Sequence, residues 1–222
     1  MTIESSLRSF YISAMDIVDK QLAEYMLDVT PKRDAVMREM EEFAASKNFP
    51  IIGPLVGRLL YTMAKVSGAK RILELGSGYG YSACWFAKAI GKEGVIICTE
   101  GNPENARLAK EYFRRSKIRT NIRFLVGDAL QLIDETTGKF DIILNDIDKH
   151  EYPLALRKAL PRLRTGGLLI TDNVLWSGRI LGKNPDANTA GILKYNKLVY
   201  SSKELFTTII PLRDGVSISI KR

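Results

Sequence analysis

The sequence predicts an α/β fold: a doubly wound, seven-stranded sheet, mostly parallel, that finishes in an antiparallel hairpin and is preceded by a helical extension. Three observations predict it. From Arg71 onward, short apolar runs alternate with segments of helical periodicity, the pattern of a parallel sheet covered by helices. The first apolar run ends in glycines at 76, 78 and 80, as a strand does when it turns sharply into a helix. The last two runs, Leu205–Pro211 and Val216–Lys221, are separated only by a turn containing Arg213-Asp214-Gly215, which makes them an antiparallel pair.

The elements follow in order. Phe10–Leu27 carries Ile12, Met15, Val18, Leu22 and Met26 at helical spacing. Thr30-Pro31 reads as a cap and first-turn proline for a second helix running towards Ser46. Gly53-Pro54 opens a third helix, through Leu59, Leu60 and Met63, that ends near Gly68. Then come strand Arg71–Leu75, helix Tyr81–Ile90, strand Gly94–Thr99 and the charged amphipathic helix Asn102–Lys117. Strand Ile122–Val126, helix Ala129–Asp134 and strand Phe140–Leu144 continue the alternation. Helix Tyr152–Leu163, strand Gly167–Thr171 and a helix around Ile192–Ser202 precede the hairpin. At 222 residues this is the size of one domain, 1–222, with a helical part over 1–68 and the sheet core over 69–222.

Composition narrows the class. An apolar share of 45% with 26% charged residues is that of an ordinary soluble protein. No run approaches the roughly 18 apolar residues of a membrane span. The opening MTIESSLRSF lacks a basic region leading into an apolar stretch, so a cytoplasmic location is expected. Cys84 and Cys98 sit in apolar runs and read as core residues rather than a disulfide. A single histidine, His150, excludes a histidine-built zinc site and a Ser-His-Asp triad elsewhere, and reads either as supporting the site from behind its ligands or as solvent-facing. The net charge of +8 suits a polyanionic partner. The basic runs from Arg107 to Arg123 and from Arg157 to Arg164 read as solvated helix faces.

In doubly wound sheets, ligands bind beyond the carboxyl ends of the strands. The first strand runs into Glu74-Leu75-Gly76-Ser77-Gly78-Tyr79-Gly80-Tyr81-Ser82. The dinucleotide fingerprint asks for a third glycine where Tyr81 stands, which argues against a nicotinamide oxidoreductase. The Gly-x-Gly-x-Gly spacing behind an acid instead resembles the cofactor loop of S-adenosylmethionine-dependent methyltransferases. Glu100, at the tip of the second strand, can accept two hydrogen bonds from a ribose diol, and Asp128 lies where an adenine would follow. The fourth strand ends Asn145-Asp146-Ile147-Asp148-Lys149 and the fifth ends Asp172-Asn173. If those strands are neighbours, Asp146, Asp172 and Asn173 converge as three hard oxygen ligands suited to Mg²⁺, or to Mn²⁺ or Ca²⁺.

These residues resemble the cation-dependent O-methyltransferase family that includes catechol O-methyltransferase and the caffeoyl-CoA O-methyltransferases. The likeness runs roughly from Pro50 to Lys221 and is sharpest in Leu73-Glu74-Leu75-Gly76, Asp146-Ile147-Asp148-Lys149 and Thr171–Gly178 (TDNVLWSG). It implies a Rossmann-like fold, S-adenosylmethionine as cofactor and a homodimer. It implies metal ligation by Asp146, Asp172 and Asn173, with Lys149 as general base. Glu74, Gly76, Ser82 and Asp146 would contact the methionine part of the cofactor, Glu100 the ribose, and Asp128 and Ala129 the adenine. Ile52 would close over the cofactor, and Asp148 would face the substrate.

The chain departs from the family pattern at Pro54-Leu55-Val56-Gly57, Asn145 and Ile147, and its loop from Gly178 to Ala190 is expected to help shape the acceptor pocket. The expected acceptor is a small molecule with vicinal hydroxyls, of catechol or caffeoyl type. Transfer RNA bearing a hydroxylated uridine is the alternative within the family. A nicotinamide oxidoreductase or a nucleotide-binding module stands behind both.

Overall fold

A computed structural model describes residues 15–222, so the start of the expected Phe10–Leu27 helix lies outside the described residues. Within the described residues that expectation is corrected: residues 15–19 are not helical, and α1 (Lys20–Asp28) begins where Asp19 Oδ1 accepts from the backbone N–H groups of Gln21 and Leu22, a cap that fixes the start which apolar spacing placed earlier. The second helix corrects the sequence reading. It is α2 (Ala35–Lys47), and it starts not at Pro31 but after Asp34, whose carboxylate accepts from Met37 N at 3.0 Å. A side-chain cap that satisfies an orphan amide outweighs a proline that merely fits the first turn. Helix α3 (Gly53–Val66) has Pro54 in its first turn, as expected.

The alternation then proceeds through β1 (Arg71–Leu75), α4 (Tyr81–Ile90), β2 (Val95–Glu100), α5 (Pro103–Arg115), β3 (Asn121–Val126), α6 (Ala129–Glu135) and β4 (Phe140–Asn145). Helix α7 (Tyr152–Ala159) is shorter than expected, because the chain tightens into a 3₁₀ turn at Leu160–Arg162 around Pro161. Strand β5 (Leu163–Thr171) is correspondingly longer. Helix α8 (Ala187–Ser201) starts earlier than its apolar pattern suggested, capped by Asp186 on Thr189 N. Strands β6 (Leu205–Ile210) and β7 (Val216–Lys221) close the chain.

The seven strands lie in the order β3-β2-β1-β4-β5-β7-β6, with β7 antiparallel to both neighbours and the rest parallel. Chain direction across the sheet reverses between β1 and β4, which opens a crevice at their carboxyl ends. Register brings the candidate residues to one level there. Leu75 pairs with Thr99 and Asn145, and Asn145 pairs with Thr171. The next residues along these strands, Gly76, Glu100, Asp146 and Asp172, therefore stand side by side along the rim.

The sheet separates two apolar layers. On one face Ile72, Ile96 and Ile142 pack with Met37, Met40, Leu60 and Phe86 of α2 to α4. On the other, Leu73, Leu75 and Ile143 pack with Tyr152, Ile192, Tyr195 and Val199 of α7 and α8. The period-two alternation along β1 puts Glu74 on the Ile72 face, beneath α4. Cys84 and Cys98 are both buried free thiols.

Candidate active site

A cavity of about 500 Å³ opens at the switch point. Its near wall is the glycine loop. Gly76 has φ +81°, and a Cβ there would meet the Asp146 carbonyl oxygen at 2.5 Å, so only glycine lets β1 and β4 release their ends this close together. Gly76 N donates to Thr99 Oγ1 at 3.2 Å, Thr99 Oγ1 donates to the Glu74 carbonyl, and Ser77 N donates to the Thr99 carbonyl. Helix α4 then begins at the cavity, with Tyr81 and the buried Ser82 in its wall. Tyr81, which fills the place of a dinucleotide glycine, donates its hydroxyl to Glu41 Oε1 at 2.7 Å and so ties α4 to α2.

The expected cofactor residues fall into two groups. Ile52, Gly76, Ser82, Glu100, Asp128, Ala129 and Asp146 all line the cavity. Glu74 does not; it is fully buried beneath the loop. Its Oε2 accepts from Cys98 Sγ at 3.6 Å, Oε1 has no hydrogen-bond partner among the described residues, and burial pushes its carboxyl up to about 7. Glu100 Oε1 accepts from Asn102 N at 2.9 Å and Asn105 Nδ2 at 3.0 Å, which orients the carboxylate. Asp128 Oδ1 is committed to capping α6, accepting from Leu130 N and Gln131 N.

The far wall gathers Asp146, Asp148, Lys149, Asp172, Asn173 and Arg213. Asp146 N donates to the Leu75 carbonyl and Asp172 N to the Asn145 carbonyl, so both acids are held by the strand ends. Asp172 is 1% exposed, yet neither carboxylate oxygen has a hydrogen-bond partner among the described residues. The cationic atom beside it is Arg213 Nη1, at 3.9 Å. Burial, with the charge of Asp146 added, raises the Asp172 carboxyl well above the ordinary range. Asn173 adopts a left-handed backbone at φ +59° and donates its amide to Asp214 Oδ2 at 3.4 Å, which leaves its carbonyl oxygen available.

Among the described residues, no three or more His, Cys, Asp and Glu side chains cluster as a metal site. The candidate set is two carboxylates and an amide. A buried carboxylate without a donor is a costly arrangement that a bound cation would relieve. In that respect these residues fit a hard divalent ion.

Lys149 Nζ lies 3.1 Å from Asp146 Oδ1 and 3.2 Å from the Ile147 carbonyl, between the rings of Tyr152 and Trp176. Asp148 is exposed at the mouth, and His150 is solvent-facing. Sequence reasoning missed Asn105, Tyr152 and Arg213. Tyr152 donates its hydroxyl to the Asp172 carbonyl at 2.9 Å from within the core. Arg213 is a turn residue far from the motifs in sequence; it reaches the site only because β7 lies beside β5.

A second cavity, of about 450 Å³, adjoins the first and shares Ile52, Asn173 and Arg213 with it. Its walls are Met15, Ile17, Val18, Met26 and Leu27, the start of α3, and the hairpin turn with Leu212. The Gly178–Ala190 loop, expected to shape the acceptor side, contributes to neither cavity. A 3₁₀ run over Trp176–Leu181 holds the start of that loop instead, and Asp186 is used as the α8 cap.

Comparison with known proteins identifies the family and the fold. A family model described as O-methyltransferase matches residues 28–222. A catechol O-methyltransferase from Niastella koreensis is 30% identical over 208 residues, covering 88% of this chain and 94% of that protein. The crystal structure of an O-methyltransferase from Bacillus cereus, described in complex with SAH, is similar with a TM-score of 0.83 at 25% identity. That match covers 91% of this chain and 97% of the other. A methyltransferase from Geobacter sulfurreducens gives a TM-score of 0.79 at 25% identity over 93% of this chain and all of the other. The chain belongs to the O-methyltransferase family.

Proposed function

We propose that this enzyme transfers the methyl group of S-adenosylmethionine to a hydroxyl of a small acceptor with vicinal hydroxyls, using a divalent cation, Mg²⁺ or else Mn²⁺ or Ca²⁺. The observation that carries the reading is the buried Asp172 carboxylate, without a hydrogen-bond donor among the described residues, in the wall of the first cavity. Asp146, Asp172 and Asn173 would hold the cation. It would supply a lower acceptor pKa and a fixed position for the acceptor oxygen.

The chain's own residues do the rest. Glu100, oriented by Asn102 and Asn105, binds the ribose diol, and Asp128 and Ala129 border the adenine. Gly76 and Ser82 bind the methionine part above the buried Glu74, and Ile52 covers it from α3. Lys149 takes the acceptor proton. It is held 3.1 Å from Asp146, where a hydroxyl bound at the acids would come within reach. The acceptor oxygen forms the new O–CH₃ bond as the S–CH₃ bond breaks, its electron pair staying on the sulfur. Orientation of the two reactants is what the rim of strand ends contributes. Asp148, at the mouth, faces the entering substrate.

The apolar second cavity supports a small acceptor over transfer RNA. The exposed Leu22 and Tyr25 on α1, with Val29 just beyond its end, support a homodimer. No helix of the described residues is long and apolar enough to cross a membrane.

The test is calorimetric titration with S-adenosylmethionine, with Mg²⁺ and then with EDTA, followed by methyl transfer to a catechol. Binding and Mg²⁺-dependent transfer are expected. NADH binding without S-adenosylmethionine binding would overturn the reading, and transfer undiminished by EDTA would remove the cation from it.

A further inference from the structure

Arg213 stands out on four counts. It holds φ +53° in the β6–β7 turn, a left-handed backbone that costs a residue bearing a Cβ. The turn is pinned against the Asp172–Gly178 loop. Ser177 N and Oγ donate to Asp214 Oδ1, Leu175 N donates to the Asp214 carbonyl, and Val174 N donates to the Gly215 carbonyl. The guanidinium makes no hydrogen bond to any described residue; its approach to Asp172 Oδ2, at 3.9 Å, is an ion pair only. It also lies on the boundary between the two cavities, lining both.

A planar, five-donor cation on a rigid turn, with its donors unclaimed, is suited to a bidentate anion. The charges around it leave room for one. At the apolar cavity Asp214 is engaged by Ser177 and Asn173, and the exposed Asp16 and Lys20 both line the wall. At the site itself Asp146 is paired with Lys149. Asp172 would be taken up by a cation under the reading above, which would release Arg213.

We propose that Arg213 is a specificity-determining residue that selects acceptors carrying a carboxylate. The substrate class is then a dihydroxyaryl acid in free form rather than its ester or thioester. This rests on the proposed function for the position of the hydroxyls. The aryl body occupies the cavity formed by Met15, Met26, Leu27 and Leu212, and the carboxylate meets the guanidinium at its edge.

The experiment compares 3,4-dihydroxybenzoate with its methyl ester, which removes only the charge. Binding is measured by calorimetry with Mg²⁺ and S-adenosylhomocysteine present, and turnover with S-adenosylmethionine. Arg213→Gly is the informative variant, because glycine relieves the left-handed backbone and the fold is expected to be at least as stable. The wild type should bind the acid about tenfold or more tightly than the ester, a charge-assisted hydrogen bond's worth. Arg213→Gly should weaken the acid to the level of the ester and leave the ester unchanged. Equal binding of acid and ester by the wild type, no binding of the acid, or a preference that survives in Arg213→Gly would each overturn the proposal. Acid-selective binding lost in Arg213→Gly without any methyl transfer would overturn the vicinal-hydroxyl reading of the acceptor and leave Arg213 as a carboxylate-selecting residue.

Discussion

The side-chain nitrogen of Lys149 lies 3.1 Å from Asp146 Oδ1, while the same acid sits next to the end of β1 through its backbone N–H on the Leu75 carbonyl. One carboxylate thus connects the proposed base to the strand end that carries the cofactor loop. The two functions can be separated by substitution. Lys149→Met keeps the apolar stem between Tyr152 and Trp176 and removes the proton acceptor. Steady-state kinetics should show kcat lowered by about 10²- to 10⁴-fold, with the S-adenosylmethionine Kd little changed. A parallel loss of cofactor affinity would make Lys149 a structural residue.

Asp172→Asn tests the cation site. The side chain keeps its shape and loses its charge, so Mg²⁺ binding by calorimetry should fall below detection. In the wild type the raised Asp172 carboxyl must shed its proton to take a cation. Cation affinity should therefore rise with pH through the neutral range, and the heat of binding should vary with the buffer's ionisation enthalpy. Cation binding independent of pH would place the ion elsewhere.

Gly76→Ala and Gly53→Ala form a matched pair. Both glycines have positive φ, but a Cβ at Gly53 meets nothing within 4 Å, whereas at Gly76 it meets the Asp146 carbonyl at 2.5 Å. Denaturant unfolding should show Gly53→Ala losing about 1 kcal/mol from backbone strain alone. Gly76→Ala should lose on the order of 2–3 kcal/mol more, because β1 and β4 must separate, and its cofactor affinity should fall with it. Equal losses would mean that the close approach is not needed.

Glu74 predicts a pH dependence of stability. Its carboxyl is raised in the folded protein to about 7 from an ordinary 4.5, so folding retains a proton between those values. Its contribution is full below pH about 4.5 and is lost as pH rises through about 7, amounting to on the order of 3 kcal/mol. Urea unfolding of the cofactor-free protein at pH 5 and pH 8 should show a loss in the wild type that is smaller by on the order of 3 kcal/mol in Glu74→Gln, the raised Asp172 carboxyl accounting for the loss that remains. Identical pH profiles would mean that Glu74 stays charged in the fold.

Much of this molecule was legible in one dimension because its determinants are local. The apolar runs at β1, β2, β4 and β5 are buried on both faces and so show as continuous stretches. The glycines at 76, 78 and 80 mark a strand that turns into a helix, and the acids beyond each strand follow at the spacing the alternation sets. Caps were less legible. Asp34 outcompeted Pro31 as the start of α2 because a hydrogen bond to Met37 N depends on which side chain reaches the amide, which periodicity does not express.

What the tertiary structure alone decided is whatever depends on strand order. The hairpin motif specified that β6 and β7 pair, but not which of them joins β5. With β7 inside and β6 at the edge, the turn between them falls at the carboxyl end of β5, and Arg213 arrives beside Asp172 from 41 positions downstream. The same arrangement seals Asp172 from solvent without giving it a donor, and sets the apolar cavity against the rim. Spacing along a chain encodes neighbours on one helix or one strand. Proximity between separate strands is set by how two apolar layers bury against one sheet, and that is a property of the whole fold.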